Sequence, residues 1–195
     1  MANTSATGGY LAPTTAPLDD VAFRRFMHGV IAGVTGLTAD KVRPAWQPNP
    51  PVRPGIDVNW SAYGIINQTP EAGTAYQQTR DDGGYNLKRH ESFDVLVSMY
   101  GPLCQAYAGL LRDGLEISQN RELLYLASMA YVGASATTHV PELVNDRWFD
   151  RADITLTFRR EIVREYPVLH FLSANGLIYT ETITPPIPWQ VAPEA

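Results

Sequence analysis

The chain has 195 residues, of which 45% are hydrophobic and 18% charged, a composition typical of a globular protein with one domain. Its net charge of −5 at pH 7 provides no global attraction to nucleic acid or to anionic lipid. The single cysteine, Cys104, excludes an internal disulfide. It falls on the apolar face of a predicted helix, where we expect a small buried side chain.

The two ends of the chain differ in composition from the middle. The first residues lack the basic segment and apolar core of a signal peptide, and no apolar run reaches the ~20 residues that span a bilayer. We therefore expect folding in the cytoplasm, without secretion or membrane insertion. Residues 1–17 are small and polar and predict a flexible arm. We expect one domain over residues 18–183 and a proline-rich, extended tail over residues 184–195.

The first predicted element is a helix over residues 19–35. Asp19 suits the N-cap position, and Gly36 suits the left-handed residue that ends a helix. Apolar side chains recur at helical spacing and predict one face buried in the core. These side chains are Phe23, Phe26, Met27, Val30, Ile31 and Val34.

A proline-rich segment follows at residues 44–54 and predicts an extended connection, since proline is excluded from helix interiors and central strands. Trp46 is the expected anchor of this loop. A proline-rich ligand for the aromatic groove of another protein is the alternative.

Alternating and β-branched residues predict strands over residues 57–67, 74–79 and 85–100. The sequence from Asp81 to Gly84 is a strong turn signal. The last strand has a clean apolar face in its second half, whereas its first half is polar on both faces. We therefore expect a polar hairpin around Asp81 to Glu91 that projects beyond the core and contacts another subunit.

The second half of the chain predicts two helices and then strands. The helices cover residues 102–114 and 120–129, the first opened by Pro102. The strands cover residues 152–163 and 168–173, the last resuming at 177–182. The expected apolar stripe of the first helix is Leu103, Ala106, Tyr107, Leu110 and Leu111. The chain is thus predicted to be α+β, with an antiparallel sheet of about four to five strands packed against two or three helices and extended arms at both ends.

The sequence contains no phosphate-binding loop, dinucleotide fingerprint or nucleophile elbow, and its histidines lack the spacing of a helical zinc motif. Asp146, Asp150 and Asp153 suggest a cation site, but Arg147 and Arg151 lie among them. An ion-pair network is therefore the favoured interpretation.

Mixed charge continues along the next strand. Arg159, Arg160 and Arg164 alternate with Glu161 and Glu165. Such a strand is typically solvated or covers an edge between subunits. Contacts from Arg159 and Arg160 to DNA phosphates are the alternative, which the neighbouring acids disfavour.

The order of elements from Gln119 to Arg160, together with particular residues in them, resembles the neck and tail-terminator proteins of tailed bacteriophages. The likeness is strongest over residues 119–180. The residues that carry it are Asn120-Arg121-Glu122, Val140-Pro141, Leu143, Arg147-Trp148, Arg151, Asp153, Leu156, Arg159-Arg160, Tyr166-Pro167-Val168, Leu172-Ser173-Ala174 and Gly176.

The resemblance implies a structural virion protein without an active site or cofactor. Such proteins form rings, commonly hexameric, at the head-proximal end of the tail. Expected partners are further copies of the chain, the tail tube protein, the head connector and neck proteins, with the sheath as an additional candidate. DNA would pass through the lumen without specific binding, and no membrane is involved.

Two sets of residues are expected to make these contacts. The candidate inter-subunit residues are Asp81, Asp82, Lys88, Arg89, Glu91, Asp153, Arg159, Arg160 and Arg164. The candidate docking residues for neighbouring proteins are Trp46, Arg147, Trp148 and Trp189.

Two alternatives remain open at this point. One is another phage component with a related fold, such as a tail-completion factor, tube-end cap or baseplate part. The other is a small metal-dependent hydrolase that uses Asp146, Asp150 and His139. The hydrolase hypothesis predicts that these three side chains converge in one concave pocket, whereas the ring hypothesis predicts that they are dispersed or paired with arginines.

Overall fold

A computed structural model describes residues 3, 7–71, 73–78, 84–168, 174–179 and 187–191. The described residues divide into two compact units. The larger unit comprises residues 15–75 and 87–164, and the smaller comprises the described parts of 1–14, 76–86 and 165–195.

Helices of the larger unit follow from the apolar periodicity of the sequence. The described α-helices are α1 (Asp20–Thr35), α2 (Cys104–Gly114) and α3 (Glu122–Leu126), with short 3₁₀ turns at Ala39–Lys41 and Ser118–Arg121. None of the described helices is both long and apolar enough to cross a membrane.

Most of the described strands belong to one sheet. The strands are β1 (Val42–Pro44), β2 (Trp60–Pro70), β3 (Ala75–Gln78), β4 (Tyr85–Tyr100), β5 (Met129–Ala134), β6 (Thr138–His139), β7 (Glu142–Val144), β8 (Arg147–Phe149), β9 (Arg151–Tyr166), β10 (Ala174–Ile178) and β11 (Ile187–Val191).

The main sheet has seven strands in the order β1-β2-β4-β9-β5, with β3 also pairing with β4 and β6 also pairing with β9. Strand β1 is parallel to β2, and the β2–β4 and β5–β9 pairs are antiparallel. Strands β7 and β8 form a separate two-stranded hairpin. In the smaller unit, β10 and β11 pair antiparallel. The α+β class predicted from the sequence is confirmed.

The core lies between α1, α2 and one face of the sheet. The apolar face predicted for α1 is confirmed, and Gly36 has the left-handed conformation expected after the helix. Phe23 packs edge-on against Phe93, which stacks on Phe158 at 5.2 Å between ring centroids. Alternation along β4 and β9 supplies the sheet side of this core.

The apolar stripe predicted for α2 is wrong in part. Leu103 and Leu110 are exposed, although Leu111 is buried as expected. The other buried positions of the helix are Ala108 and Cys104, of which Cys104 was predicted to be buried. Small residues at these positions let the helix backbone approach the core closely.

Three further expectations changed. The loop expected after residue 129 is wrong, because β5 to β8 occupy most of residues 129–149. The 120–129 helix is shorter than predicted and begins with a 3₁₀ turn. Glu91, at the inner end of the polar half of β4, is buried, so the predicted projection beyond the core does not include it.

Candidate functional site

The most prominent polar feature of the sheet is a buried arginine on β9. Arg160 is 4% exposed, and its guanidinium bonds the carboxylate of Glu91 on β4 at 2.6 Å. It also bonds Asp19 at 3.0 Å and the carbonyl oxygen of Leu18, and lies 4.4 Å from the ring centroid of Phe23. A single side chain therefore connects two central strands to the start of α1.

Asp19 occupies the predicted N-cap position but does not cap through its side chain. Its carboxylate pairs instead with Arg160 at 3.0 Å and with Arg164 at 3.5 Å. The carboxylate bonds the two arginines rather than the backbone N–H groups of the first turn of α1, because hydrogen bonds between charged groups are stronger. The start of α1 is thus held by the sheet rather than by its own cap.

A second ion pair, on residues of β9 and the end of β2, is much more exposed. The Arg159 guanidinium contacts the Glu71 carboxylate at 2.6 Å, and half of the Arg159 side chain is exposed. The Ser92 hydroxyl donates to Glu71 at 2.8 Å. These bonds, Ser92 first and Arg159 second, lower the pKa of Glu71 below its usual value.

The other predicted interface residues also have partners within the chain. Lys88 lies 4.0 Å from Glu161, and Arg89 bonds Glu91 at 3.2 Å. Asp153 bonds Arg151 on its own strand at 2.8 Å, as the ion-pair interpretation predicted. Asp81 and Asp82 lie outside the described residues, so the turn between them stays a prediction.

Burial separates these residues into two groups. Glu91 and Arg160 are each 4% exposed and face the core side of the sheet, so their charges act within the chain. Lys88, Arg159 and Arg164 keep exposed area that a neighbour could contact. Because residues 156–160 of β9 lie between β4 and β5, this part of the strand offers a neighbour its side chains rather than an open backbone edge.

Arg53 was not singled out by its sequence, yet it organises one end of the larger unit. Its guanidinium lies 4.3 Å from the Phe149 ring centroid and 5.0 Å from that of Tyr100. It also bonds the Glu142 carboxylate at 3.0 Å. Tyr100 stacks in turn on Trp60 at 4.2 Å between centroids. The arginine therefore fixes the proline-rich segment against the β7–β8 hairpin. The position of Arg53 in a proline-rich segment does not indicate these partners, because they are distant in the sequence.

The β7–β8 hairpin presents part of the predicted docking set. Trp148 is 64% exposed and lies across the hairpin from Leu143, which is also exposed. Arg147 is exposed beside it. The turn residues Asn145 and Asp146 both have positive φ values, as a tight hairpin turn requires. The hairpin therefore presents an exposed surface that is apolar at Leu143 and Trp148 and basic at Arg147.

Trp46 lies on the proline-rich segment and is 73% exposed. One edge of its ring rests on the backbone of Gly64 in β2, where any side chain would overlap it. The anchor predicted from sequence therefore contacts the sheet but leaves most of the indole uncovered. The side chain of Trp189 lies outside the described residues.

A further apolar surface, on α3 and β5, was not predicted from the sequence. Leu123 and Tyr125 of α3 are exposed, Leu126 is 83% exposed, and Val132 of β5 is also exposed. Only Leu124 of this helix is buried. Large exposed apolar side chains close together in sequence are typical of a surface that another protein covers.

Two of the three residues of the hydrolase hypothesis lie together, but at the exposed surface. His139 Nε2 lies 3.5 Å from Asp150 Oδ1, with both side chains well exposed, and Asp146 is in the hairpin turn. No three His, Cys, Asp or Glu side chains among the described residues are placed to hold a metal ion. Burial, with a smaller contribution from Asp150, raises the pKa of the Cys104 thiol, which disfavours the reactive thiolate.

Comparison with known proteins gave one family match. No curated protein matches the chain. The family model described as "Phage neck terminator protein" matches residues 21–183, which include all of the larger unit except its first residues. The resemblance inferred from sequence is confirmed, and the chain belongs to the family of phage neck terminator proteins.

Proposed function

We propose that this protein forms a hexameric ring at the head-proximal end of a phage tail, where it ends the tail tube and joins it to the head connector. The observation that carries the proposal is the match of the neck terminator family over residues 21–183. Its place is the neck of the virion, and its assembly takes place in the host cytoplasm.

The surface of the larger unit supports a role in assembly. Large apolar side chains are exposed on α3, on β5 and on the β7–β8 hairpin, and their burial against neighbours would stabilise a complex. Trp46, Arg147 and Trp148 are the proposed contacts to the tube and connector proteins, together with Trp189. In a contractile tail the sheath would be a further neighbour.

Contacts between copies would include the exposed charged residues of β4 and β9. Lys88, Arg89, Asp153, Arg159 and Arg164 retain enough exposure to contribute. Their present partners are carboxylates or arginines of the same chain, so they would act as a polar rim with modest energy per contact. Asp81 and Asp82 belong to the same proposed contact.

Such a ring requires no catalysis and no cofactor. The exposure of His139 and Asp150, together with the position of Asp146 in the hairpin turn, favours this over the hydrolase hypothesis. The net charge of −5 would let DNA move through the lumen, because a surface that bound phosphate strongly would retain it.

The test is the mass and shape of the purified protein, measured by light scattering and negative-stain imaging, and its position in virions. Rings with the mass of six copies, found at the junction of head and tail, are the expected result. A protein that stays monomeric and is absent from virions would contradict the proposal. Tight, salt-sensitive binding of duplex DNA by assembled rings would contradict the proposed lumen.

A further inference from the structure

Strand β2 has an outer edge that is covered only at its start. Strand β1 pairs with Ser61–Tyr63, and the last bond to this edge runs from the Ala45 N–H to the Tyr63 carbonyl at 2.7 Å. From Gly64 to Pro70 no segment of the described chain pairs with the outer edge of β2. Among the described residues, nothing therefore pairs with the backbone groups that point outward there, and another strand could bind them.

An open cleft of about 380 Å³ runs beside this uncovered edge. Arg24 of α1 and the Trp46 ring form its sides, and Ile65, Ile66 and Gln68 of β2 line its length. Ile66 is exposed, and the chain bulges there, so that Ile66 is skipped in the pairing with β4. The cleft therefore exposes both a strand edge and apolar surface.

The opposite edge of the same sheet is β5, which is also uncovered on its outer side in the described chain. Its pairing with β9 bulges at Val132, which is skipped and exposed. Leu126 of the preceding helix lies exposed nearby in sequence. Both ends of the sheet thus combine a free strand edge, a bulge and exposed apolar side chains.

The unpaired edges of β5 and β2 lie at the same position along the strand direction of the sheet. Met129 of β5 is opposite Arg160 of β9, whose side chain bonds Glu91 of β4, and Glu91 is opposite Pro70 of β2. The start of β5 is therefore level with the end of the free edge of β2.

A second set of neighbouring residues across the four strands also places β5 level with the unpaired edge of β2. Gly133 is opposite Thr157, the Thr157 hydroxyl donates to Asp94 at 2.8 Å, and Asp94 is opposite Asn67. The bulges at Val132 and Ile66 consequently fall within the same narrow zone of the sheet. β6, in contrast, pairs with β9 at residues 152–153, which are level with the part of β2 that β1 covers.

Strand direction is also compatible with joining these edges. The β2–β4 and β9–β5 pairs are antiparallel, and the bonds Glu91–Arg160 and Ser98–Arg151 show that β4 and β9 are antiparallel too. Three reversals leave β5 antiparallel to β2. A second copy placed beside the first in the same orientation would therefore bring β5 antiparallel to β2, which continues the alternation of the sheet.

We propose that β5 of one copy pairs antiparallel with the Gly64–Pro70 edge of β2 in the next copy, so that one continuous sheet runs through successive subunits. This inference rests on the proposed ring and identifies which edges close it. The contact joins two different surfaces, as a cyclic ring of identical chains requires. Val132 and Ile66 meet at the interface, Trp46 covers one side of it, and each added strand satisfies backbone groups that water now solvates.

The test uses a pair of engineered cysteines, Ile66→Cys together with Val132→Cys. The two positions lie at opposite edges of one chain, so a disulfide between them forms only between copies. Oxidation of assembled rings should give a ladder of covalent oligomers, up to the full ring, on a non-reducing gel. Each single variant should give background cross-linking, and native Cys104 is buried and remains unreacted. The matched control is Ile66→Cys with Leu110→Cys, because Leu110 is also exposed but lies on α2.

A charge exchange provides an independent readout. Val132→Glu alone should weaken ring association about tenfold or more, because it places an unpaired charge in the interface. Adding Ile66→Lys to the same chain should restore association, since the lysine of one copy then meets the glutamate of the next.

The outcomes separate the two proposals. Rings that form without a cysteine ladder, or a control pair that cross-links equally well, would refute the edge pairing while leaving the ring itself intact. Absence of rings, both in solution and in virions, would refute the ring and the edge pairing together. A ladder specific to the Ile66 and Val132 pair, with recovery by the charge exchange, supports the inference.

Discussion

The buried ion pair between Arg160 and Glu91 permits a quantitative prediction. Glu91→Gln keeps the shape of the side chain but removes the carboxylate that accepts two bonds from Arg160, at 2.6 and 2.7 Å. The amide oxygen of the glutamine could still accept from Arg160, but the buried guanidinium would keep Asp19 as its charged partner. Removing one member of a buried pair costs about 3–5 kcal/mol. Because the partner Asp19 survives, we expect the lower end, about 3 kcal/mol.

For a chain of this size, 1 kcal/mol shifts the melting temperature by about 2–4 °C. Thermal unfolding followed by circular dichroism at pH 7 should therefore show a decrease of about 6–12 °C for Glu91→Gln. The matched control is Glu71→Gln, which removes an equally short contact, to Arg159, on the exposed side of the sheet. Its melting temperature should stay close to that of the unmodified protein, because water replaces the lost bonds.

The comparison of the two variants decides the result. If Glu91→Gln and Glu71→Gln lower the melting temperature equally, burial of Arg160 does not make its ion pair structurally important. The double variant Glu91→Leu with Arg160→Met should recover part of the loss, since neither charge then needs a partner.

Three further predictions follow from other contacts. Gly64→Ala should lower the free energy of unfolding by about 1 kcal/mol, because the added methyl group displaces the Trp46 ring. In a Trp46→Ala background the same change should have little effect, and an equal loss in both backgrounds would refute the contact. Burial raises the pKa of Tyr63 to about 12, and its hydroxyl donates to the Arg24 carbonyl at 2.8 Å. Because the pKa is raised on folding, the contribution of Tyr63 to the free energy of unfolding is fully present below pH 10, its ordinary pKa, and is lost as the pH rises toward 12. Urea unfolding at pH 8 and pH 11 should show this loss in the unmodified protein but not in Tyr63→Phe. An equal pH dependence in both proteins would contradict the prediction. Trp148→Ala should leave the melting temperature nearly unchanged because the side chain is exposed, but should reduce incorporation into virions, measured by mass spectrometry of purified particles; normal incorporation would argue against docking through the hairpin.

The strongest predictions from sequence concern elements whose pattern is determined by one buried face. Strand β4 has the predicted limits of residues 85–100, and α1 begins one residue after Asp19. In both elements, large apolar side chains occupy most of the positions that face the core, although Thr35 and Glu91 are buried as well. Periodicity therefore identifies the face.

Prediction failed where large apolar side chains are exposed. In α2, Leu103 and Leu110 are exposed although they were predicted to face the core. The buried positions are Cys104 and Leu111, as predicted, and Ala108. In α3, for which no buried face was predicted, Leu123 and Leu126 face solvent. A surface intended for another subunit carries the same residues as a core, so a single chain's pattern does not distinguish them. The partners of Arg53 and Arg160 depend on contacts between distant segments, which sequence spacing does not reveal.

The position of Arg160 has a consequence for synthesis. The ribosome completes α1 early, but the arginine that holds its first residues is added 141 positions after Asp19. Until β9 emerges and pairs with β4, the apolar face of α1 has no complete sheet to cover and its N-terminal carboxylate has no buried partner. The nascent chain therefore cannot finish its core progressively from the N-terminus. Completion of the fold, and with it any ordered contact between copies, must wait until β9 has left the ribosome.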